Sequence, residues 1–168
     1  MQNIDLTGAI NGTTAYVDGQ LVGRDVTVSL PELAWLTAEL QATGTTEIPI
    51  LGLLEAMETT IKKIGIDNGL VKACTPVSKD YEFRWAQTTT TPQGSSRVVG
   101  GKVSIRGIPK TVPGMDVEPG STVEAEIPIA TTRYALYLDG KEAICIDKLA
   151  GVIRFDGTDY ANSVNAVL

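Results

Sequence analysis

Three Asp-Gly pairs set beside β-forming runs constrain this chain more than any other feature. Asp18-Gly19 lies between Thr14-Ala15-Tyr16-Val17 and Gln20-Leu21-Val22. Asp139-Gly140 lies between Arg133-Tyr134-Ala135-Leu136-Tyr137-Leu138 and Lys141-Glu142-Ala143-Ile144-Cys145-Ile146, and Asp156-Gly157 follows Val152-Ile153-Arg154-Phe155. Both residues tolerate the positive φ of a two-residue turn, and that turn matches the natural twist of two antiparallel strands. Other segments alternate apolar with polar residues, as a strand with one buried face does. They are Val26 to Leu30, Tyr81 to Trp85, Lys102 to Ile108 and Val123 to Ile127, and Glu58 to Ile66, rich in β-branched residues, reads as a strand as well. The pattern predicts a mainly β (α+β) chain with antiparallel pairing.

Between these strands the signals are mixed. Ser29-Leu30-Pro31-Glu32 has the form of a capping box, and Leu33, Leu36 and Leu40 follow at near-helical spacing. Yet Ala34, Leu36, Ala38, Leu40 and Ala42 also alternate strictly with Trp35, Thr37, Glu39, Gln41 and Thr43. Local pattern favours helix slightly. Two helices are predicted: one capped by Asp67 and stopped by Pro76, and a C-terminal one over residues 158–168 with Thr158 as cap and Tyr160, Val164 and Leu168 on one side. Residues 88–96 are polar and turn-rich, hence a surface loop. Residues 43–54 are different. They mix Gly44, Pro49 and Gly52 with Ile48, Ile50, Leu51, Leu53 and Leu54, and apolar side chains on a non-periodic segment imply that something covers them.

The chain has 168 residues, 43% of them hydrophobic and 20% charged, which suits one domain spanning 1–168 with a core that needs no disulfide or metal. Cys74 and Cys145 form no C-x-x-C pair and read as small buried hydrophobes. No run of about 18 apolar residues exists, so no membrane span is expected. Met1-Gln2-Asn3-Ile4-Asp5 lacks the basic start of a secretion signal, so the expectation is cytoplasmic synthesis followed by entry into a larger object. A net charge of −6 disfavours nucleic-acid binding, whose affinity rests on cations meeting phosphates.

No histidine is present, which excludes Ser-His-Asp and Cys-His hydrolases and every His-ligated metal site. Gly100-Gly101-Lys102 lacks the spacing and strand-to-helix context of a phosphate-binding loop and reads as a turn before a strand. Asp139, Glu142 and Asp147, or Asp156 and Asp159, do not match a calcium loop and are explained by turns and a helix start. Lys62-Lys63 reads as a solvated strand face. No catalytic set, cofactor or metal site is predicted.

Several weak motifs occur in order: Val26-Thr27-Val28-Ser29-Leu30-Pro31-Glu32-Leu33, Gly44-Thr45-Thr46-Glu47-Ile48 with Pro49 and Leu51-Gly52, and Glu55-Ala56-Met57-Glu58-Thr59-Thr60-Ile61. Val103-Ser104-Ile105-Arg106-Gly107-Ile108-Pro109-Lys110 follows. Tyr137-Leu138-Asp139-Gly140-Lys141-Glu142, Ile146-Asp147-Lys148 and Asp156-Gly157-Thr158-Asp159-Tyr160 complete the set. From about residue 14 onward the chain resembles the major tail tube proteins of contractile-tailed phages and phage-tail-like particles. It departs from them at Thr46, where a second glycine is usual, at Leu53, where a histidine or aromatic is frequent, and at its Val167-Leu168 end.

The resemblance implies two packed antiparallel sheets, a β-sandwich or barrel, with one short flanking helix. It implies a strand, not a helix, over residues 35–43, with one face packed inward and the other lining a bore. It implies rings of six copies stacked into a tube inside a sheath, with the apolar segment (Gly44, Ile48, Ile50, Leu51, Leu53, Leu54) as the ring-stacking loop. The partners it implies are the chain itself, a sheath protein, tape-measure and tube-initiator or terminator proteins, and DNA passing without specific binding. Two other classes remain open on the residues alone. A monomeric β-sandwich ligand-binding module would need clustered exposed aromatics, which the sequence does not offer; an enzyme would need a nucleophile or base motif, which is missing. A tube from a DNA-free bacteriocin-like particle is indistinguishable from a phage tail at this level.

Overall fold

A computed structural model describes residues 4–168. The first residues of the segment considered above for a leader, Met1 to Asn3, lie outside the described residues. In chain order the elements are β1 (Leu6–Val17), β2 (Gln20–Arg24), β3 (Thr27–Ser29), β4 (Trp35–Gln41), β5 (Thr45–Leu54), β6 (Met57–Ile64), α1 (Asn68–Cys74), β7 (Lys79–Thr90), β8 (Ser96–Pro109), β9 (Glu124–Leu138), β10 (Lys141–Asp147), β11 (Val152–Phe155), β12 (Thr158–Asp159) and α2 (Asn162–Asn165). All pairings are antiparallel, and they build a ten-stranded sheet and a separate two-stranded sheet, β4–β5.

The Asp-Gly turns fall where the sequence puts them. Asp18, Asp139 and Asp156 have φ of 48°, 51° and 49°, and the glycines after them 81°, 76° and 84°. Two consecutive left-handed residues define the type I′ hairpin, and the turns join β1 to β2, β9 to β10 and β11 to β12.

β9 organises the large sheet. β8 runs along one edge of it. Along the other edge β6 pairs with residues 124–131, from Ile64↔Glu124 to Met57↔Thr131, and β10 pairs with residues 133–138. The main path then continues β8-β7-β1-β2 on one side and β10-β11-β12 on the other, while β3 extends β6. The β3–β6 branch lies over the main sheet, since Val28 shares a small cavity with Phe83 and Val103. Inward side chains from both layers form one core: Met57 and Ile61 of β6, Tyr81 and Phe83 of β7, Val103 and Ile105 of β8, and Ala125, Ile127 and Ile129 of β9. Each fully buried isoleucine contributes about 1.5–3 kcal/mol relative to exposure.

α1 closes one end of the core. Asp67 caps it, accepting the Leu70 N–H at 2.9 Å, and Leu70, Ala73 and Cys74 turn inward. At its C-terminus the Tyr81 hydroxyl donates to the Ala73 carbonyl at 2.9 Å, and Lys79 Nζ donates to the Lys72 carbonyl. Burial pushes the Tyr81 hydroxyl pKa up, and burial also lowers that of Lys79. These carbonyls lack intrahelical partners, so two β7 side chains do the work of a C-cap.

Five expectations are corrected. Residues 43–54 are not an irregular loop: β5 pairs with β4 from Gln41↔Thr45 through Thr37↔Pro49. The missed signal is the turn at Thr43 (φ 52°) and Gly44 (φ 109°), and Pro49 is tolerated because a lone hairpin has free edges. The capping box before residue 33 forms no helix. The C-terminal helix shrinks to Asn162–Asn165: Thr158 pairs as β12 instead of capping, and Asp159 accepts the N–H groups of Ile153 and Ala161. The loop at 88–96 narrows to residues 91–95, because its threonines extend β7, with Thr89 bonded to Thr7 and Thr90 to Ser96 across strands. Lys63, read as part of a solvated face, points inward and is buried beside Asp67.

Candidate assembly surface

Among the described residues, the β4–β5 hairpin has no ladder to the rest of the molecule. Its register sorts its side chains onto two faces. Leu40 stands opposite Thr46 and Ala38 opposite Ile48, with Leu36 following, so one face is apolar. Gln41 stands opposite Thr45, Glu39 opposite Glu47 and Thr37 opposite Pro49, so the other face is polar and acidic. An amphipathic ribbon normally lays its apolar face on the core. Here Leu36, Leu40 and Ile48 are 40%, 51% and 42% exposed. The inward packing expected of this strand is therefore not made within the chain.

The bulge beyond adds to the surface. Between the rungs Trp35↔Leu54 and Thr37↔Pro49, Leu36 faces Ile50, Leu51, Gly52 and Leu53 on β5. Gly52 takes φ of 84°, and Leu51 and Leu53 are exposed. Of the residues singled out in the sequence, Ile48, Ile50, Leu51 and Leu53 thus lie exposed on this one arm. Gly44 shapes its tip, and Leu54 differs by turning into the body at its root. Leu36 and Leu40 belong to the same surface; the strict alternation on residues 34–42 was their signal.

A second unpaired region lies at the far ends of β1, β7 and β8. β2 covers β1 only from Thr14 to Val17, and β9 covers β8 only from Gly101 onward. Among the described residues, 6–12 of β1 and 96–99 of β8 therefore leave free backbone edges on a three-stranded extension, with Leu6, Ile10 and Val98 exposed. Such edges are templates for another strand.

The solvent face of the main sheet has the opposite character. Arg84 pairs with Glu82, Arg106 with Asp80 at 2.8 Å, and Arg154 with Glu142 at 3.1 Å. Arg84 lies over Tyr16 and Lys102 over Tyr137, at 4.9 and 5.4 Å from the ring centres. Cys145 sits beneath this layer, and burial, with Glu142 adding to it, raises its thiol pKa. Of the acidic residues considered for a metal, Glu142, Asp147 and Asp159 are engaged otherwise. Asp147 accepts the N–H groups of Leu149 and Ala150, and Asp159 those named above. Among the described residues no group of three or more His, Cys, Asp or Glu is placed to hold a metal, and no helix is long and apolar enough to cross a membrane.

A mainly β, two-layered chain with an unpartnered amphipathic arm and free sheet edges has the build of a subunit, and the comparisons give its class. The family model for phage tail tube protein FII matches residues 8–168. The chain belongs to that family, and its role is that of a tail tube structural protein. Among solved structures it is similar to a chain in the cryo-EM structure of an extracellular contractile injection system, the PVC sheath-tube complex in the extended state. The TM-score is 0.51 at 14% identity, covering 75% of this chain and 88% of that one, a likeness of fold. No curated protein sequence matches the chain.

Proposed function

We propose that copies of this chain close into six-membered rings and that the rings stack into the inner tube of a contractile tail, a conduit for DNA or the needle of an injection particle. The single observation that carries this reading is the exposed apolar face of the β4–β5 arm. A two-stranded hairpin is marginal alone in water, and Glu39 opposite Glu47 destabilises it further. Covering Leu36, Leu40, Ile48, Leu51 and Leu53 with the adjacent ring removes that apolar surface from water. The free edges of β1 and β8 offer backbone pairing to neighbours.

The fold likeness to a sheath-tube complex supports a sheath around this tube; tape-measure and tube-initiator or terminator proteins would then set its length and ends. Six copies at −6 each give a ring −36 in formal charge, which keeps DNA from sticking to the wall. A cryo-EM map with a predominantly basic lumen contradicts that last step. The main test is Leu51→Asp with Leu53→Asp, studied by negative-stain microscopy and circular dichroism across a concentration series. The expected result is a folded protein that no longer forms tubes. Tubes of normal length from the double variant remove the arm from the stacking contact.

A further inference from the structure

We propose that Lys148 is a positioning residue for the β4–β5 arm, a latch that fixes the angle at which the arm leaves the body. Among the described residues, the arm's hydrogen bonds to the body lie at its root. The last rung is Trp35↔Leu54, the Glu55 N–H donates to the Ala34 carbonyl at 2.8 Å, and the Trp35 ring rests near Phe155, 6.4 Å between centres. On the other side of the root the packing is incomplete. A cleft of about 220 Å³ separates Gly52 and Leu53 from Ile153, Ala161 and Val164. The arm approaches α2 at Gly52, where an added Cβ would stand 3.5 Å from Val164. Side-chain packing therefore leaves the arm room to rock toward the C-terminal segment.

Lys148 spans this joint. Its Nζ donates to the carbonyls of Leu54 at 3.1 Å and Glu55 at 2.6 Å, the two residues at which the arm re-enters the body. Lys148 is itself anchored. Its N–H donates to the Thr132 carbonyl at 3.1 Å, and the turn after it is pinned by the Asp147 carboxylate, which accepts from Leu149 at 3.0 Å and Ala150 at 3.1 Å. A cation fixed to the main sheet thus holds two main-chain oxygens of the arm, and bonds from an ionised donor are among the stronger ones. The consequence for assembly rests on the stacking role proposed above; the latch itself does not.

The test is hydrogen exchange read by mass spectrometry on the full chain, with Lys148→Met, which keeps the stem and removes the donors, and Lys148→Arg, which keeps donors. In the Met variant, amides of β4 and β5 are expected to exchange about tenfold faster, while β7, β8 and β9 stay unchanged; the Arg variant recovers protection. Unchanged exchange in the arm overturns the latch, as does equal acceleration in β7–β9, which marks general destabilisation. Tube formation separates the two readings. A loosened arm with tubes of normal rate and length leaves the latch standing and removes the arm from stacking. An unchanged arm, with tubes still lost in the Leu51→Asp, Leu53→Asp variant, does the reverse.

Discussion

Lys63 Nζ lies 2.8 Å from Asp67 Oδ2, and that one carboxylate also receives the Leu70 N–H at the start of α1. The ammonium comes from inside the β6 layer and is buried; the carboxylate is 55% exposed. Asp67→Ala removes a helix cap, worth about 1 kcal/mol, and also strands a buried cation. We expect a loss of about 2 kcal/mol in denaturant unfolding. Asp67→Asn keeps the cap acceptor and costs less.

The same pair predicts an acid dependence. The Lys63 hydrogen bond, then the Leu70 N–H, hold the Asp67 pKa below its ordinary carboxylate value of 3.8. A depressed folded pKa stabilises above the unfolded value and is lost as pH falls through the folded one. The Asp67 contribution is therefore full at neutral pH and is lost progressively as pH falls below about 4. Asp67→Asn flattens that part of a stability curve measured from pH 7 to 3, and an unaltered acid limb removes Asp67 from the account.

Gly101 is expected to tolerate nothing larger. A Cβ there would lie 2.1–2.4 Å from atoms of the Trp85 indole, a rigid ring that would have to move as a whole. Gly101→Ala is expected to cost about 1–3 kcal/mol and to change Trp85 fluorescence. Paired with Trp85→Leu the cost of the alanine falls. Additive effects in that double-mutant cycle contradict the contact.

Thr59 and Thr131 are both buried, with hydroxyls 2.8 Å apart, and the Thr131 hydroxyl also reaches the Ile129 carbonyl at 3.3 Å. Thr131 donates to that carbonyl, and Thr59 donates to Thr131. Thr131→Val orphans the Thr59 hydroxyl and is expected to cost about 1–3 kcal/mol, more than Thr59→Val, with the double valine variant closer to wild type. Equal costs for the two single variants contradict this donor order.

Cys74 and Cys145 are buried, and burial raises both thiols. Labelling with a disulfide reagent at neutral pH is expected to be slow for both in the folded protein and fast for both in denaturant. Fast labelling of Cys145 alone means that the ion-pair layer of Arg154 and Glu142 above it opens readily.

What the sequence revealed follows how local each cause is. Asp-Gly needs only two residues to set a turn, so three hairpins were legible, as was the Asp67 cap. Lys63 was not: its inward position depends on the register of β6 against Val28 and Ala125, and alternation alone does not say which of Lys62 and Lys63 faces the core. Residues 43–54 were read as covered apolar surface, and the exposed residues are there, but as a strand, because Pro49 and Gly52 break the pattern that marks one. The C-terminal helix failed for the converse reason. Thr158 and Asp159 were competed for by the Asp156-Gly157 turn, and pairing with β11 won.

β9 passes without a break from one layer into the other, with β8 laddered to most of its length. The two layers are thus joined by covalent chain as well as by contact between side chains. A force that tries to slide one across the other, as torsion of a wall built from such subunits does, meets peptide bonds and a long hydrogen-bond ladder loaded in shear, where rungs give way together instead of one by one.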